Sequence, residues 1–270
     1  MAITTEISWD DGSGDKIYVT RETSEGNQTV SVSSDENTGA ARTKVVTFTS
    51  GVGNIQRQLT INQAAGLPYT PLNYIETDGV AYIDTKIKGN VPKSFRFKVM
   101  PVAPSSGNAY YFGCRKDTGN TRFVPLIVTS GKKAGFGYGS GVYISTIDIS
   151  ASIDNQTPMD VQCVLKASPQ SFGVKQAGES SYTTMSGTSS GTQTTNRNML
   201  IFGYDYAGTS VSHCPSGVKW YECKVYSSSN YTNLVFDGVP CYYNGEYGLW
   251  DKISDTFFGN AASSGAFTGQ

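Results

Sequence analysis

Val239-Pro240-Cys241, Tyr247-Gly248-Leu249-Trp250-Asp251, Thr256-Phe257-Phe258-Gly259-Asn260 and Gly265-Ala266-Phe267-Thr268-Gly269 close the chain. They read as a strand, two aromatic turns bearing glycine, and a last aromatic segment between glycines. A counterpart opens the same region: Leu72-Asn73-Tyr74-Ile75-Glu76-Thr77, a turn at Asp78-Gly79, then Tyr82-Ile83-Asp84-Thr85. Between the two lie short alternating or apolar runs: Phe95/Phe97/Val99, Tyr111-Phe112-Gly113-Cys114-Arg115, Val161/Cys163/Leu165, Leu200-Ile201-Phe202-Gly203 and Tyr221/Cys223/Val225. None carries a convincing helical period, so the region is read as all-β. Ser186 to Thr195 is a polar low-complexity stretch, expected to be an exposed loop.

Residues 1–66 form a smaller all-β segment with its own alternation. Ile17 and Val19, Val30 and Val32, Val46 and Phe48, and Leu59 and Ile61 each alternate with polar residues. Period two marks strands with one face on a core and one in water. Turn residues separate them, at Asp11–Gly14, Glu25-Gly26-Asn27, Glu36–Gly39 and Ser50–Asn54. Such spacing predicts an immunoglobulin-like sandwich. Leu67-Pro68-Tyr69-Thr70-Pro71 is read as a short linker, because two prolines three apart favour extended backbone. The expected domains are therefore 1–66, a linker over 67–71, and 72–270. Trp9, Val32, Phe48 and Ile61 are expected in the small core; Phe97, Val99, Cys163, Leu165, Phe202, Cys223 and Val225 in the large one.

Two family resemblances follow from these residues. The opening and closing segments of 72–270 resemble those of concanavalin A-like lectin/glucanase domains of the LamG-like kind. That resemblance implies a jelly-roll sandwich whose first and last strands pair, and a fold that either hydrolyses glycans or holds them. Trp9, Asn37-Thr38-Gly39-Ala40-Ala41-Arg42 and Leu59-Thr60-Ile61-Asn62-Gln63-Ala64-Ala65-Gly66 look like a BACON-type domain. This implies an immunoglobulin-like module of the sort found beside glycan-active domains, with the role of a stiff spacer. The pair of modules resembles phage virion surface proteins and Bacteroidota glycan-binding proteins.

Composition narrows the partners. The chain has 270 residues, 16% charged and 12% aromatic, with 17 Tyr and a net charge of −1. No basic field exists to attract nucleic acid or an anionic membrane, and no run of about 18 apolar residues offers a helical span. The start, Met1 to Glu6, lacks a basic n-region and an apolar h-region. Synthesis without a signal peptide is expected, with removal of one as the alternative. Cys114, Cys163, Cys214, Cys223 and Cys241 are odd in number and form no C-x-x-C. They are expected to be free thiols that act as small buried hydrophobes.

Catalysis is not expected. Glucanases of this fold need two carboxylates about 5 Å apart for a retaining reaction, placed by the family as E-x-D-x-x-E. The nearest match is Glu76-Thr77-Asp78-Gly79-Val80-Ala81, whose last position is Ala81. Asp78 and Gly79 are read as a turn. The sole histidine, His213, adjoins Ser212 and Cys214 and lacks catalytic geometry. Neither a zinc site nor a D-x-D-x-D-G calcium loop is present, so no metal and no cofactor are expected.

Sugar binding needs rings for the apolar CH faces and planar polar groups for the hydroxyls. Tyr204, Asp205 and Tyr206, on a loop after a strand, are the first candidates; Tyr138 and Tyr143 on a Gly-rich hairpin and Arg115 are the others. Phe136, Tyr110, Tyr111 and the Tyr242-Tyr243-Asn244 run complete the aromatic clusters. The expected function is that of a non-enzymatic phage virion surface protein, a capsid decoration or head/tail fibre subunit. It would be made in the host cytoplasm and would adhere through its lectin-like domain. Expected partners are other virion proteins of the capsid or tail, surface glycans and a homo-oligomer, with no nucleic acid or membrane. A secreted or cell-surface bacterial glycan-binding protein is the alternative, and a glycoside hydrolase the third reading.

Overall fold

The computed structural model describes residues 2–22, 29–49, 56–116, 121–140, 143–188 and 191–270, and only the backbone of 2, 22, 140 and 143–145. The expected turns at Glu25–Asn27 and Ser50–Asn54 lie outside the described residues. The chain divides into two compact units, Met1–Pro68 and Tyr69–Gln270. Tyr69 packs on Trp250, with ring centroids 5.0 Å apart, and Thr70–Pro71 pairs with Cys241 and Tyr242. Three of the five residues read as a linker thus belong to the large unit.

In the small unit, β1 (Ala2–Ser8), β2 (Lys16–Glu22) and β3 (Val30–Ser34) form one antiparallel sheet, and β4 (Arg42–Thr49) pairs with β5 (Gln56–Gln63). Trp9, Ile17 and Val19 are buried, with Phe48 and Ile61 packed against them. Val32 departs from its expected place. It lies opposite Val19 on the edge strand β3, yet stays 37% exposed. Pairing gives it the core-facing side, but an edge strand carries it past the cover of the opposite sheet.

The motif residues of this unit act as internal staples. Asn37 donates its amide to the carbonyls of Ala40 (2.8 Å) and Ala64 (2.6 Å) and accepts from the Gly39 amide (2.9 Å). Arg42 lies 4.4 Å over the Trp9 ring, donates to Gln63 at 2.8 Å, and pairs with Asp11 (2.7 Å) and Asp15 (2.9 Å). Hydrogen bonds from Arg42 and Ser13 hold the Asp11 carboxyl far below its ordinary range.

The large unit runs β6 (Thr70–Pro71), β7 (Ile75–Thr77), β8 (Ile83–Lys88), β9 (Lys93–Met100), β10 (Asn108–Arg115), β11 (Thr121–Thr129), β12 (Lys133–Ser140) and β13 (Tyr143–Asp148). The short helix α1 (Ser150–Asp154) follows, then β14 (Met159–Leu165), β15 (Gln170–Lys175), β16 (Thr183–Gly187), β17 (Asn198–Ile201), β18 (Gly203–Tyr206) and β19 (Ser210–His213). The chain ends with β20 (Lys219–Tyr226), β21 (Leu234–Tyr243), β22 (Glu246–Asp251), β23 (Thr256–Phe258) and β24 (Phe267–Gly269). An 11-stranded sheet has the order β16-β15-β14-β9-β20-β21-β22-β23, with β6, β7 and β24 attached. An 8-stranded sheet has the order β13-β12-β11-β10-β17-β8, with β18 and β19 attached. The molecule is thus all-β: small N-terminal sheets, then a large two-sheet sandwich.

Aromatic rings join the two sheets. Trp220 stacks on Phe97 at 5.0 Å within one sheet and meets Phe112 (6.1 Å) and Phe202 (5.6 Å) of the other edge-on. Each such pair contributes about 0.5–1.5 kcal/mol beyond the area it buries. Phe97, Val99, Cys163, Leu165, Phe202, Cys223 and Val225 are all buried, as expected. The first and last strands pair: Phe267, Thr268 and Gly269 lie opposite Thr77, Glu76 and Ile75. Asp78 locks that closure by accepting from Val80 (2.8 Å), Ala81 (2.9 Å) and, across the closure, Ala266 (2.7 Å).

On its outer face the 11-stranded sheet carries one row of charges in alternating order, next to Arg96, which lies opposite Lys224. Lys175 lies opposite Asp160, Asp160 opposite Lys98, and Lys98 opposite Glu222. Lys175 and Asp160 approach to 3.1 Å. Opposite charges directly across strands attract, so this row neutralises itself.

Burial pushes the Asp78 carboxyl up, but the amides of Ala81, Val80 and Ala266 outweigh it and lower the pKa. The charged form therefore stabilises the fold above the unfolded value of about 3.9. Asp78→Asn lowers the thermal midpoint at neutral pH, and circular-dichroism melts show its deficit shrinking as the pH falls below about 4. All five cysteines are buried free thiols, and burial raises Cys241 to about 12. A maleimide labels the native protein slowly and all five cysteines once it is denatured without reductant, as read by intact mass.

Candidate functional site

The site is built where the chain leaves β17. Phe202 has φ +65, a left-handed conformation that is costly for a bulky side chain. Its ring is held in the core against Trp220 and Phe267, the latter at 5.2 Å. The turn reverses the chain: β17 runs antiparallel to β10, whereas β18 meets β10 in parallel at Cys114 and Asp205. Tyr204 then packs with Val124 and Ile127. Those two alternate with the core residues Phe123, Leu126 and Val128, so the Tyr204 ring lies on the outer face of the 8-stranded sheet, which β18 and β19 extend.

Between this hairpin and the β8–β17 pair lies a cleft of ≈ 560 Å³, lined by Tyr82, Asp84, Lys86, Arg197, Asn198 and Asp205 among others. Asp84 is its centre. Its carboxylate accepts from the Lys86 backbone (2.9 Å), the Lys86 ammonium (2.7 Å) and the Asn198 amide (3.1 Å). Burial raises the Asp84 pKa, but the Lys86 and Asn198 donors outweigh it and hold the group ionised. Lys86 itself has φ +59, a second strained residue at the same place. Across the cleft, Asp205 accepts from the Gly208 amide at 2.6 Å. Gly208 has φ +74, a conformation that favours glycine, and a Cβ there would displace the Arg197 guanidinium.

The predicted site residues separate. Asp205 lines the cleft. Tyr206 is exposed, with the Arg115 guanidinium 4.4 Å over its ring. Tyr204 is a correction: it lies in a strand, not a loop, and is fully buried, stacked on Tyr110 at 4.6 Å. Tyr138 is another. It is 1% exposed because Ala134, Phe136 and Tyr138 form the inward parity of β12, leaving the glycines outward. Its hydroxyl accepts from Gln193 at 2.9 Å, which pins the polar stretch expected to be free, and Thr195 there is buried. Phe136 and Tyr111 are likewise buried. Tyr143 lies on β13, and its side chain lies outside the described residues. Tyr242 is exposed and packs on Tyr247 at 4.9 Å, away from the cleft lining.

Asp84, Lys86 and Asn198 were not among the candidates. Tyr82-Ile83-Asp84-Thr85 was legible as a strand, and its alternation could have placed Asp84 outward. The irregular Lys86 backbone, and its pairing with a strand more than a hundred residues away, leave no local signal.

The small, buried Tyr204 cluster makes a stability prediction. The Tyr204 hydroxyl is buried without a hydrogen-bond partner among the described residues. An unsatisfied hydroxyl costs about 1–3 kcal/mol. Tyr204→Phe therefore raises the urea midpoint with unchanged slope, and Tyr204→Ala lowers it by removing about 3–5 kcal/mol of packing.

Comparison with known proteins bears on each unit. A family model described as "BACON: Putative binding domain, N-terminal" matches residues 8–64. No curated protein sequence matches the chain. Among solved structures, the native heptameric SAP-like pentraxin of Limulus polyphemus aligns with a TM-score of 0.34 and 16% identity, over 69% of this chain and 76% of that one. The full extracellular region of zebrafish Gpr126/Adgrg6 aligns with a TM-score of 0.42 and 13% identity, over 98% of this chain and 37% of that one. The sandwich assignment rests on this chain's own two sheets, and the N-terminal unit carries a BACON domain.

Proposed function

We propose that this chain is a non-enzymatic glycan-binding protein whose large sandwich holds a saccharide in the β8–β17–hairpin cleft. The observation that carries the reading is the Asp84–Lys86–Asn198 group. It presents a carboxylate, an ammonium and an amide in one fixed array, beside the Tyr82 ring and opposite Asp205. Vicinal sugar hydroxyls are met by such planar acceptors and donors, and a ring edge meets the CH face. Backbone strain at Lys86 and Phe202 fits a place shaped for a ligand.

The same group suits Asp84 to accept hydrogen bonds from sugar hydroxyls. A glycosidase keeps one carboxyl protonated as the general acid. Asp84 is instead held ionised by its donors, which suits an acceptor and not an acid.

We further propose display on a phage virion, as a capsid decoration or a head or tail fibre subunit. The partners would be other virion proteins and surface glycans, and repeated copies would raise weak single-site affinity through avidity. Five buried free thiols support synthesis in a reducing cytoplasm. The BACON unit, whose motif residues are engaged internally, would act as the spacer or anchor. Secretion or cell-surface display is the alternative, separated by mass spectrometry of purified virions.

Asp84→Ala and Asn198→Ala are each expected to weaken binding on a neutral-glycan array about tenfold or more, with unchanged circular dichroism. Retained binding in both variants would remove the cleft from consideration. Release of reducing ends from any bound glycan would overturn the non-catalytic reading.

A further inference from the structure

Read from its other end, the alternating row on the 11-stranded sheet carries the opposite charge at every position. The core residues Val174, Val161, Phe97 and Cys223 point inward, so their strand neighbours point outward. Three outward rows cross β15, β14, β9 and β20. The first is Lys175, Asp160, Lys98 and Glu222. The second is Gly173, Gln162, Arg96 and Lys224, charged at one end only. The third, Ser171, Val164, Ser94 and Tyr226, is uncharged. Glu222 and Arg96 are exposed, and the Lys175 and Asp160 side chains are about one-third exposed, at 33% and 32%. Rings stand among the charges. Tyr182 meets the Lys175 ammonium at 5.5 Å, Tyr221 the Lys98 ammonium at 5.9 Å, and Tyr231 the Arg96 guanidinium at 4.3 Å.

We propose that two copies of this chain pair face to face through this outer surface, about a two-fold axis running along the strands between β14 and β9. Such an axis reverses the strand order of the facing copy and keeps each row level with itself. Lys175 then faces Glu222 of the second copy, and Asp160 faces its Lys98. Symmetry repeats both contacts. In the second row Arg96 faces Gln162 and Lys224 faces Gly173, so no like charges meet. An axis across the strands would set Lys175 on Lys175 and Glu222 on Glu222, which repel. Sheets stacked face to face keep their strand directions within about 30° of each other, as the first axis requires. Lys175 and Asp160 already pair in the plane at 3.1 Å, so the facing charges fix register more than affinity. The tyrosines and Arg96 are of the types enriched at interfaces. The four strands give a patch about 15–20 Å wide and about 20–25 Å long, below the roughly 800 Å² per partner of a standard interface. The dimer therefore dissociates at roughly micromolar concentrations. The cleft lies on the other sheet, so a pair presents two clefts and gains avidity. The pairing itself is independent of what the clefts hold.

Sedimentation velocity of the full chain from about 1 to 100 μM tests the pairing. A dimer fraction that grows with concentration is expected. Lys175→Glu sets two carboxylates against each other across the interface, and Glu222→Lys sets two ammoniums. Each single variant is expected to raise the dimer dissociation constant about tenfold or more. An equimolar mixture of the two variants is expected to recover the dimer, because both facing pairs in the mixed dimer are again opposite in sign. Recovery on mixing also shows that each variant is folded, since neither chain alone has been repaired. A chain that stays monomeric over the whole range overturns the proposal. So does a dimer indifferent to both single variants, or a mixture that associates no better than its components.

Discussion

The arrangement of this protein depends on Phe202, a bulky residue kept in a left-handed turn. What keeps it there is packing: its ring is wedged between Trp220 and Phe267. Phe267 belongs to the closing strand, which is fixed to the opening strand by pairing and by Asp78. The two ends of the large unit are therefore connected mechanically to the outer-face hairpin. Without that turn β17 would continue straight along the sheet. No Tyr204 ring would then pack on Val124 and Ile127, no cleft would stand beside Asp84, and Arg115 would have no ring beneath it. A local strain is offset by a distributed core, which is how a rigid sandwich holds an irregular feature in place.

Much of the fold was legible in the sequence because period-two alternation is a local signal. Phe97/Val99, Cys163/Leu165 and Cys223/Val225 declare their inward faces within one strand. The same parity misleads for tyrosine, which suits both faces of a sheet. Tyr138 follows Ala134 and Phe136 inward, as its alternation states, although a ring beside glycines suggested exposure. Tyr204 shows a different limit. A strand that reverses through a positive φ does not continue the alternation of Leu200 and Ile201, so its burial cannot be counted from them. Asp84, Lys86 and Asn198 meet only through the pairing of β8 with β17, a relation that no window of sequence contains. Arg115 and Arg122 are closer in sequence, but their register depends on bulges in β10.

The BACON unit shows how motif residues can mislead about function. Asn37, Arg42 and Gln63 are polar, and such residues invite a binding role. In the fold they hydrogen-bond to Ala40, Ala64, Asp35 and one another, and Arg42 covers Trp9. Their donors are consumed in closing a small sandwich whose apolar core is only a few residues deep. A unit this small gains much of its definition from such staples, since burial alone stabilises it weakly.

The alternating row Lys175, Asp160, Lys98 and Glu222 has a kinetic consequence. A face whose charges cancel at contact distance projects little field beyond one Debye length, about 8 Å in physiological salt. A ligand diffusing past that row is neither drawn in nor turned, and unsteered encounters proceed at about 10⁵–10⁶ M⁻¹s⁻¹.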